Sequence, residues 1–381
     1  MTQSSVTLDV AELQRALSVR DLTDPAQGPH AMQQLWQAAA ATLQAAWGCE
    51  LRIERKSPIV SIADNYDRLH YPAEGASRDA RYTRYVCESA LLRTQTSAMI
   101  PPLLRQLAAA PSDDVVLMCP GLVYRRDSID RLHVSEPHQM DVWRITRRPT
   151  LGVAELTQLV ALLTAALLPE RVYRVVPAEH PYTVHGLQID VRDGDSWVEI
   201  GECGVASPAL LAESGLPNTH YSGLALGLGL DRILMLRKQL DDVRLLRASD
   251  PRIAQQMRDL TPYQPVSTMP AVERDLSIVV ADDVTDELLG DAVRGALGDE
   301  AAVIERVRVL AETPYTALGP AVHARLGITP GQKNALVRVT LRALDRTLTQ
   351  RECNLLRDRI YAAVHRGSRW EWASGGPPPQ R

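Results

Sequence analysis

The sequence predicts a mixed α+β protein, an antiparallel sheet with flanking helices followed by a smaller βαββαβ domain. Three observations predict it. Short segments rich in Val, Ile, Tyr and Trp, bounded by Pro, Gly and Asp, are mixed irregularly with long helical repeats over residues 1–246. Such an order disfavours a doubly wound parallel sheet. A proline-dense stretch from Arg247 to Pro270 then precedes a second run of strands and helices. Finally, 381 residues at 45% hydrophobic composition suffice for two packed cores.

Taken in order, Met32, Leu35, Trp36, Ala39, Leu43 and Trp47 recur at helical spacing and predict a long amphipathic helix behind the Gly28-Pro29 break. The segments LRIE, DVVLMCP, GLVYRR, DVWRIT, GLQIDV and SWVEIG read as strands. Between them, Ala154 to Leu168 reads as a second helix, and RILMLRKQL after Asp231 as a third. A linker is expected over 247–267. Beyond it, over 268–373, come strand RDLSIVV, helix TDELLGDAVRGALG, strands VIERVRVL and NALVRVTLRAL, helix TQRECNLLRDRIYAAVHRG and a last strand near SRWEW. That is the order of a ferredoxin-like sandwich. Thr349 followed by Glu352 fits a capping box opening the last helix. The tail SGGPPPQR, 374–381, is expected to be disordered.

The formal net charge of -4 excludes wholesale coating of nucleic acid, so an RNA site has to be regional. One region qualifies. From Lys333 to Arg369 nine basic residues face three acidic ones. This excess could follow a phosphate backbone, or it could be a solvated face held by ion pairs. Five scattered cysteines without a CxxC pair argue against a zinc site or a disulfide framework. No apolar run spans a membrane, and the acidic residues of MTQSSVTLDVAELQRAL do not suit a targeting peptide, so a cytoplasmic location is expected. The chain contains no Phe, although Tyr and Trp persist.

Two segments carry the chemistry. GLALGLGLDR, Gly223 to Arg232, is glycine-rich but lacks the GK[ST] ending of a P-loop. Its glycines would let a nucleotide approach the backbone while the guanidinium of Arg232 meets phosphate. VYRRDSIDRLHVSEPHQMD, from Val123, sets Arg125 ahead of a polar strand. Together they resemble motifs 3 and 2 of class II aminoacyl-tRNA synthetases. With NYDRL, LLRTQTS, PYT and WVEIGECG in the same order, the resemblance narrows to phenylalanyl-tRNA synthetases, above all the single-chain organellar form. MPAVERDLSIVV and DRTLTQRECN resemble that form's C-terminal ferredoxin-fold anticodon-binding domain. The resemblance covers roughly residues 29–372.

The resemblance implies a class II antiparallel sheet, ATP and Mg2+, an amino acid and tRNA as partners, and a monomer or a homodimer. Arg125, Arg232 and His133 are its implied catalytic residues. Arg125 would hold the α-phosphate and Arg232 the γ end, with Asp127, His133, Glu199, Gly227 and Gly229 completing the ATP site. Glu199 is the implied metal ligand. Gln95, Ser97, Gln139, Asp141, His180, Tyr182, Glu202, Cys203 and Gly204 would surround the amino acid. Lys333, Arg338, Arg342 and Arg346 would touch tRNA.

Departures from the family pattern cluster at the amino-acid end. Gln95 stands where the family has His, Asp141 where it has Glu, Pro137 and Leu226 where it has Phe, and Glu202 where it has Gly. HPYT, with His180 and Tyr182, replaces an FPF-type segment, and Val184 replaces the acid that follows. A pocket so lined is expected to suit a polar or substituted amino acid. Besides a phenylalanine-tRNA ligase-like enzyme, two readings stay open. One is a tRNA-independent amino-acid activator, the other a non-catalytic tRNA-binding relative.

Overall fold

The computed structural model describes residues 7–147, 150–266 and 269–370. Two compact units emerge. The first takes the chain up to Arg125, then Glu136–Asp241 and Gln255–Tyr263; the second takes Arg126–Ser135, Asp242–Ala254 and the chain from Gln264 on.

In the first unit α1 (Val10–Ser18) starts at a capping box in which Asp9 and Glu12 satisfy each other's backbone N–H groups. Helix α2 (Ala31–Trp47) follows the expected period. It buries Met32, Leu35, Trp36, Ala39 and Leu43 and ends on Gly48 at φ 60°, the left-handed cap that glycine adopts without a Cβ clash. β1 (Glu50–Ile53) is next, then a small sheet of β2 (Ile59–Ser61), β3 (Tyr85–Cys87) and β4 (Ala90–Leu92), with α3 (Ile62–Asn65) after β2. Helix α4 (Ile100–Ala109) precedes β5 (Asp114–Leu122), β6 (His138–Thr146) and α5 (Val153–Leu167). Then come β7 (Tyr173–Pro177), β8 (Thr183–Asp193), β9 (Ser196–Ala206), α6 (Pro208–Glu213), β10 (Ser222–Gly229) and α7 (Leu230–Lys238).

The main sheet runs β1-β5-β6-β10-β9-β8-β7. Among the described residues β1 and β5 of this sheet pair in parallel, and its other pairs are antiparallel. The expected antiparallel sheet is therefore present, and the glycine run that invites a loop reading is its central strand β10. GLVYRR is not a strand of its own, since Gly121 and Leu122 finish β5. On one face Leu117, Trp143, Ile145 and Ala225 pack with Met99, Ile100, Leu103 and Leu107. Burying apolar side chains of this size contributes about 2 kcal/mol each.

The proline-dense stretch lies against the first unit. It carries α8 (Pro251–Gln256), and residues beyond it are fastened to the first unit. Buried Lys238 donates to the carbonyls of Asp259 and Thr261 at 2.8 and 2.6 Å, and Ala31 N–H donates to Met257 O at 2.7 Å.

The second unit is built on β11 (Val272–Ala281), α9 (Asp286–Leu297), β12 (Ile304–Pro314), α10 (Pro320–Leu326), β13 (Gln332–Leu341) and α11 (Gln350–Val364). Its antiparallel sheet runs β11-β13-β12, the order that the first three strands of a ferredoxin-like sandwich take. Leu276, Ile278, Val337, Val339, Val293, Leu356 and Ile360 share its core. The Thr349–Glu352 capping box is present. Residues 365–370 form no strand, and the rest of SRWEW, like the tail 374–381, lies outside the described residues.

Candidate active site

The site begins with strand register. Glu202 of β9 faces Gly227 of β10, which faces Asp141 of β6; one step along, Gly204, Ala225 and Trp143 line up likewise. Opposed residues of antiparallel strands share a face, so both rows open on the same side of the sheet. Two glycines permit this crowding. A Cβ on Gly201 would lie 2.2 Å from Gly227 O, and one on Gly204 2.6 Å from Thr183 Cβ.

Asp141 is fully buried. Thr96 Oγ1 donates to it at 2.6 Å and Trp143 Nε1 at 3.1 Å, and Ser97 is a further hydrogen-bond partner. Burial raises its pKa, and these three partners pull it part of the way back. Gln139 Oε1 accepts from Thr96 N–H at 3.4 Å. Tyr182 hydrogen-bonds Ser97, and its ring stacks on Trp143 at 5.9 Å and 24°. His180 tilts against Tyr182 at 6.1 Å, with its Nε2 2.9 Å from Glu202 Oε2.

Arg125 and Arg232 approach the same region. Arg125 Nε donates to Thr94 O at 2.7 Å, and among the described residues no carboxylate forms an ion pair with its guanidinium. Arg232 stands in the first turn of α7, where Nη1 donates to Glu199 O at 3.1 Å and lies 3.9 Å from Glu199 Oε2. Burial raises the Glu199 pKa. Arg232 opposes that shift, Glu202 adds to it, Arg125 opposes it and Asp190 adds to it.

The structure thus brings together Gln95, Ser97, Gln139, Asp141, His180, Tyr182, Glu202, Gly204 and Gly227 at one end, and Arg125, Glu199, Gly229 and Arg232 at the other. Three expected members are placed differently. Cys203 alternates to the opposite face of β9 from Glu202 and Gly204, because neighbouring side chains of a strand point oppositely. Burial pushes its thiol up to about 12. Asp127 and His133 group with the second unit. There Arg294 donates to the carbonyls of Asp127 and Ser128 at 2.6 and 2.8 Å, and His133 Nδ1 sits 2.8 Å from Asp130.

Tyr71, Thr96 and Arg93 join the site without having been read from the sequence. Tyr71 donates to Gln95 Oε1 at 2.8 Å and lies 6.2 Å from Tyr182, and burial pushes its phenol up to about 12. Arg93 is buried and donates to Leu122 O at 2.6 Å, which braces the segment carrying Thr94 and Gln95. Tyr71 lies two residues past NYDRL and Arg93 inside LLRTQTS, so proximity to a motif is the available signal.

Residues 31–257 match the family model of the tRNA synthetases class II core domain (F). The chain belongs to this family. The chain is similar, at 29% identity over 328 residues, to the chloroplastic/mitochondrial phenylalanine--tRNA ligase of Arabidopsis thaliana, covering 83% of this chain and 71% of that one. The phenylalanine--tRNA ligase alpha subunit of Prochlorococcus marinus (strain NATL2A) is 34% identical over 192 residues, 50% of this chain and 56% of the subunit. The chain therefore spans little more than half the length of that subunit. Among solved structures, the pyrrolysyl-tRNA synthetase of Desulfitobacterium hafniense matches 63% of this chain and 78% of that one, with 16% identity and a TM-score of 0.46. Among the described residues no helix is long and apolar enough to cross a membrane.

In the second unit the expected tRNA-binding cations have acidic partners. Arg338 meets Asp275 at 2.8 Å and Glu273 at 3.2 Å, Lys333 meets Glu312 at 2.8 Å, Arg342 meets Glu305 at 2.6 Å, and Arg346 meets Glu352 at 2.8 Å. Arg306 and Arg308 are exposed on β12, and among the described residues neither forms an ion pair.

Proposed function

We propose that this chain activates an amino acid with ATP and passes it to tRNA, as a phenylalanine--tRNA ligase-like member of class II. The observation that carries this reading is the division of one sheet face. A buried carboxylate, Asp141, marks one end, and two guanidiniums flanking a carboxylate mark the other.

An amino-acid ammonium would meet Asp141, Gln139 and Ser97, which aims the substrate carboxylate toward the arginines. One carboxylate oxygen attacks the α-phosphorus of ATP, the bond to the bridging oxygen breaks, and pyrophosphate leaves with that electron pair. Arg125 would hold the α-phosphate where negative charge builds in the transition state, and Arg232 the γ end. In the second step a terminal ribose hydroxyl of tRNA attacks the acyl carbon, and AMP leaves. The protein forms no covalent bond with substrate in this scheme; it contributes position and charge.

The donors suit Mg2+, which takes one or two carboxylates and completes its shell with phosphate oxygens and water. Glu199 would hold it, and the ion would neutralise triphosphate charge.

For tRNA we propose the outer face of the β11-β13-β12 sheet. Arg308 stands opposite Arg338, and Arg306 opposite Thr340, so three guanidiniums share that face. Lys333, Arg342 and Arg346, each paired with an acid, would contribute less to phosphate binding. A pyrophosphate-exchange assay across amino acids, with and without tRNA, tests the whole reading. ATP-dependent exchange and tRNA acylation are expected; exchange with no acylation of total tRNA would favour an activator that feeds another acceptor.

A further inference from the structure

His180 presents an unusual problem of satisfaction. Its side chain is 9% exposed, yet among the described residues Nε2 has no hydrogen-bond partner. Glu202 Oε2 comes within 2.9 Å, but the approach lacks hydrogen-bond geometry. The other ring nitrogen, Nδ1, lies 3.4 Å from Thr183 Oγ1. The ring cannot turn freely to repair this. Gly186 leaves it just enough space, since a Cβ there would touch Nδ1 at 3.0 Å, and Tyr182 flanks it at 6.1 Å. A buried imidazole nitrogen without a partner costs stability unless something fills the position.

The surroundings describe what that would be. Tyr182 stacks on Trp143 with one face, and Tyr71 stands 6.2 Å from it, giving aromatic walls that suit a flat ring. At the edge of these walls, an Nε2–H donates and the Glu202 side chain accepts. A hydroxyl is the small group that accepts from one and donates to the other.

Resting on the activation reading above, we propose that His180 and Glu202 form a polar subsite for a hydroxyl on the side chain of an aromatic amino acid, and that this pair sets substrate preference. An unsubstituted ring leaves Nε2 with only the 2.9 Å approach of Glu202 Oε2, which lacks hydrogen-bond geometry, whereas a ring hydroxyl joins the two into one hydrogen-bonded chain. Sites built to bond a substrate hydroxyl discriminate strongly against the analogue that lacks it, and the part-exposed Glu202 reduces that discrimination.

The test is amino-acid-dependent pyrophosphate exchange by the full chain with phenylalanine, para-tyrosine and meta-tyrosine. Unaltered protein is compared with His180→Phe and Glu202→Gln made separately. For the unaltered protein kcat/KM should favour one hydroxylated ring over phenylalanine by about tenfold or more. Each substitution should reduce or invert that ratio, and an unchanged melting temperature reports that the variant is folded. If the unaltered protein prefers phenylalanine, and neither substitution changes the ratio, the subsite is wrong and the activation reading stands. If no amino acid supports exchange, both are overturned.

Discussion

His138 and Asp231 join the start of β6 to the first turn of α7: Nδ1 of the histidine is 3.0 Å from Asp231 Oδ1, and the His138 backbone N–H donates to Asp231 Oδ2. Leu22 N–H donates to Nε2 at 3.0 Å, so Nε2 is an acceptor and the proton resides on Nδ1, facing the carboxylate. The imidazole is fully buried. This bond fixes the strand that carries Gln139 and Asp141 against the helix that carries Arg232. Asp231→Ala leaves a buried donor unpaired and should cost about 1–3 kcal/mol, measured by urea denaturation. Asp231→Asn should recover part of the loss, because its carbonyl oxygen still accepts from Nδ1–H.

Arg125→Ala and Arg232→Ala should each lower kcat/KM for exchange by roughly 10²–10³-fold, the usual loss when one charge-stabilising donor is removed. Unchanged melting temperatures would show that the loss concerns chemistry. Wild-type exchange rates in either variant would remove that arginine from the phosphate site.

Gly201→Ala is predicted to disrupt the central strands. Its Cβ would stand 2.2 Å from Gly227 O, against backbone with no rotamer to yield. Overpacking of this kind costs about 1–3 kcal/mol or more. A lowered melting temperature together with reduced exchange is expected.

Acid should weaken the second unit through Glu352. Its carboxylate is held down to about 2, first by Arg346 and then by the Thr349 backbone and hydroxyl, against 4.5 for the free side chain. The folded pKa is depressed, so the stabilisation is fully present above 4.5 and disappears as pH falls towards 2. Glu352→Gln should flatten the stability profile across that window. Arg346→Ala should raise the Glu352 pKa, visible by NMR titration, with little effect on tRNA binding.

Arg306→Ala and Arg308→Ala should weaken tRNA binding across sequences, each reducing the slope of log K against log salt by about 1. Equal or larger effects from Lys333→Ala or Arg342→Ala would return the RNA contact to the ion-paired cations.

Local pattern determined a good deal of this protein. The period of Met32, Leu35, Trp36 and Leu43 specifies α2, and Thr349 with Glu352 specifies the start of α11, because both signals act within one or two turns. The order of motifs marked Arg125, Glu199, Asp141 and Arg232; Asp141 stands on β6 and Glu199 on β9, Arg125 follows β5 and Arg232 opens α7. Pairing was decided by the tertiary structure. His138 meets Asp231 across 93 positions, and Arg338 meets Asp275 across 63, so Lys333, Arg338 and Arg342 are paired with acids of β11 and β12. Tyr71 likewise reaches Gln95 and Tyr182 only through the folding of the chain after α3. Charge and polarity are read along the chain, but electrostatics and hydrogen bonding act through space, and no local pattern shows which groups the fold sets 3 Å apart.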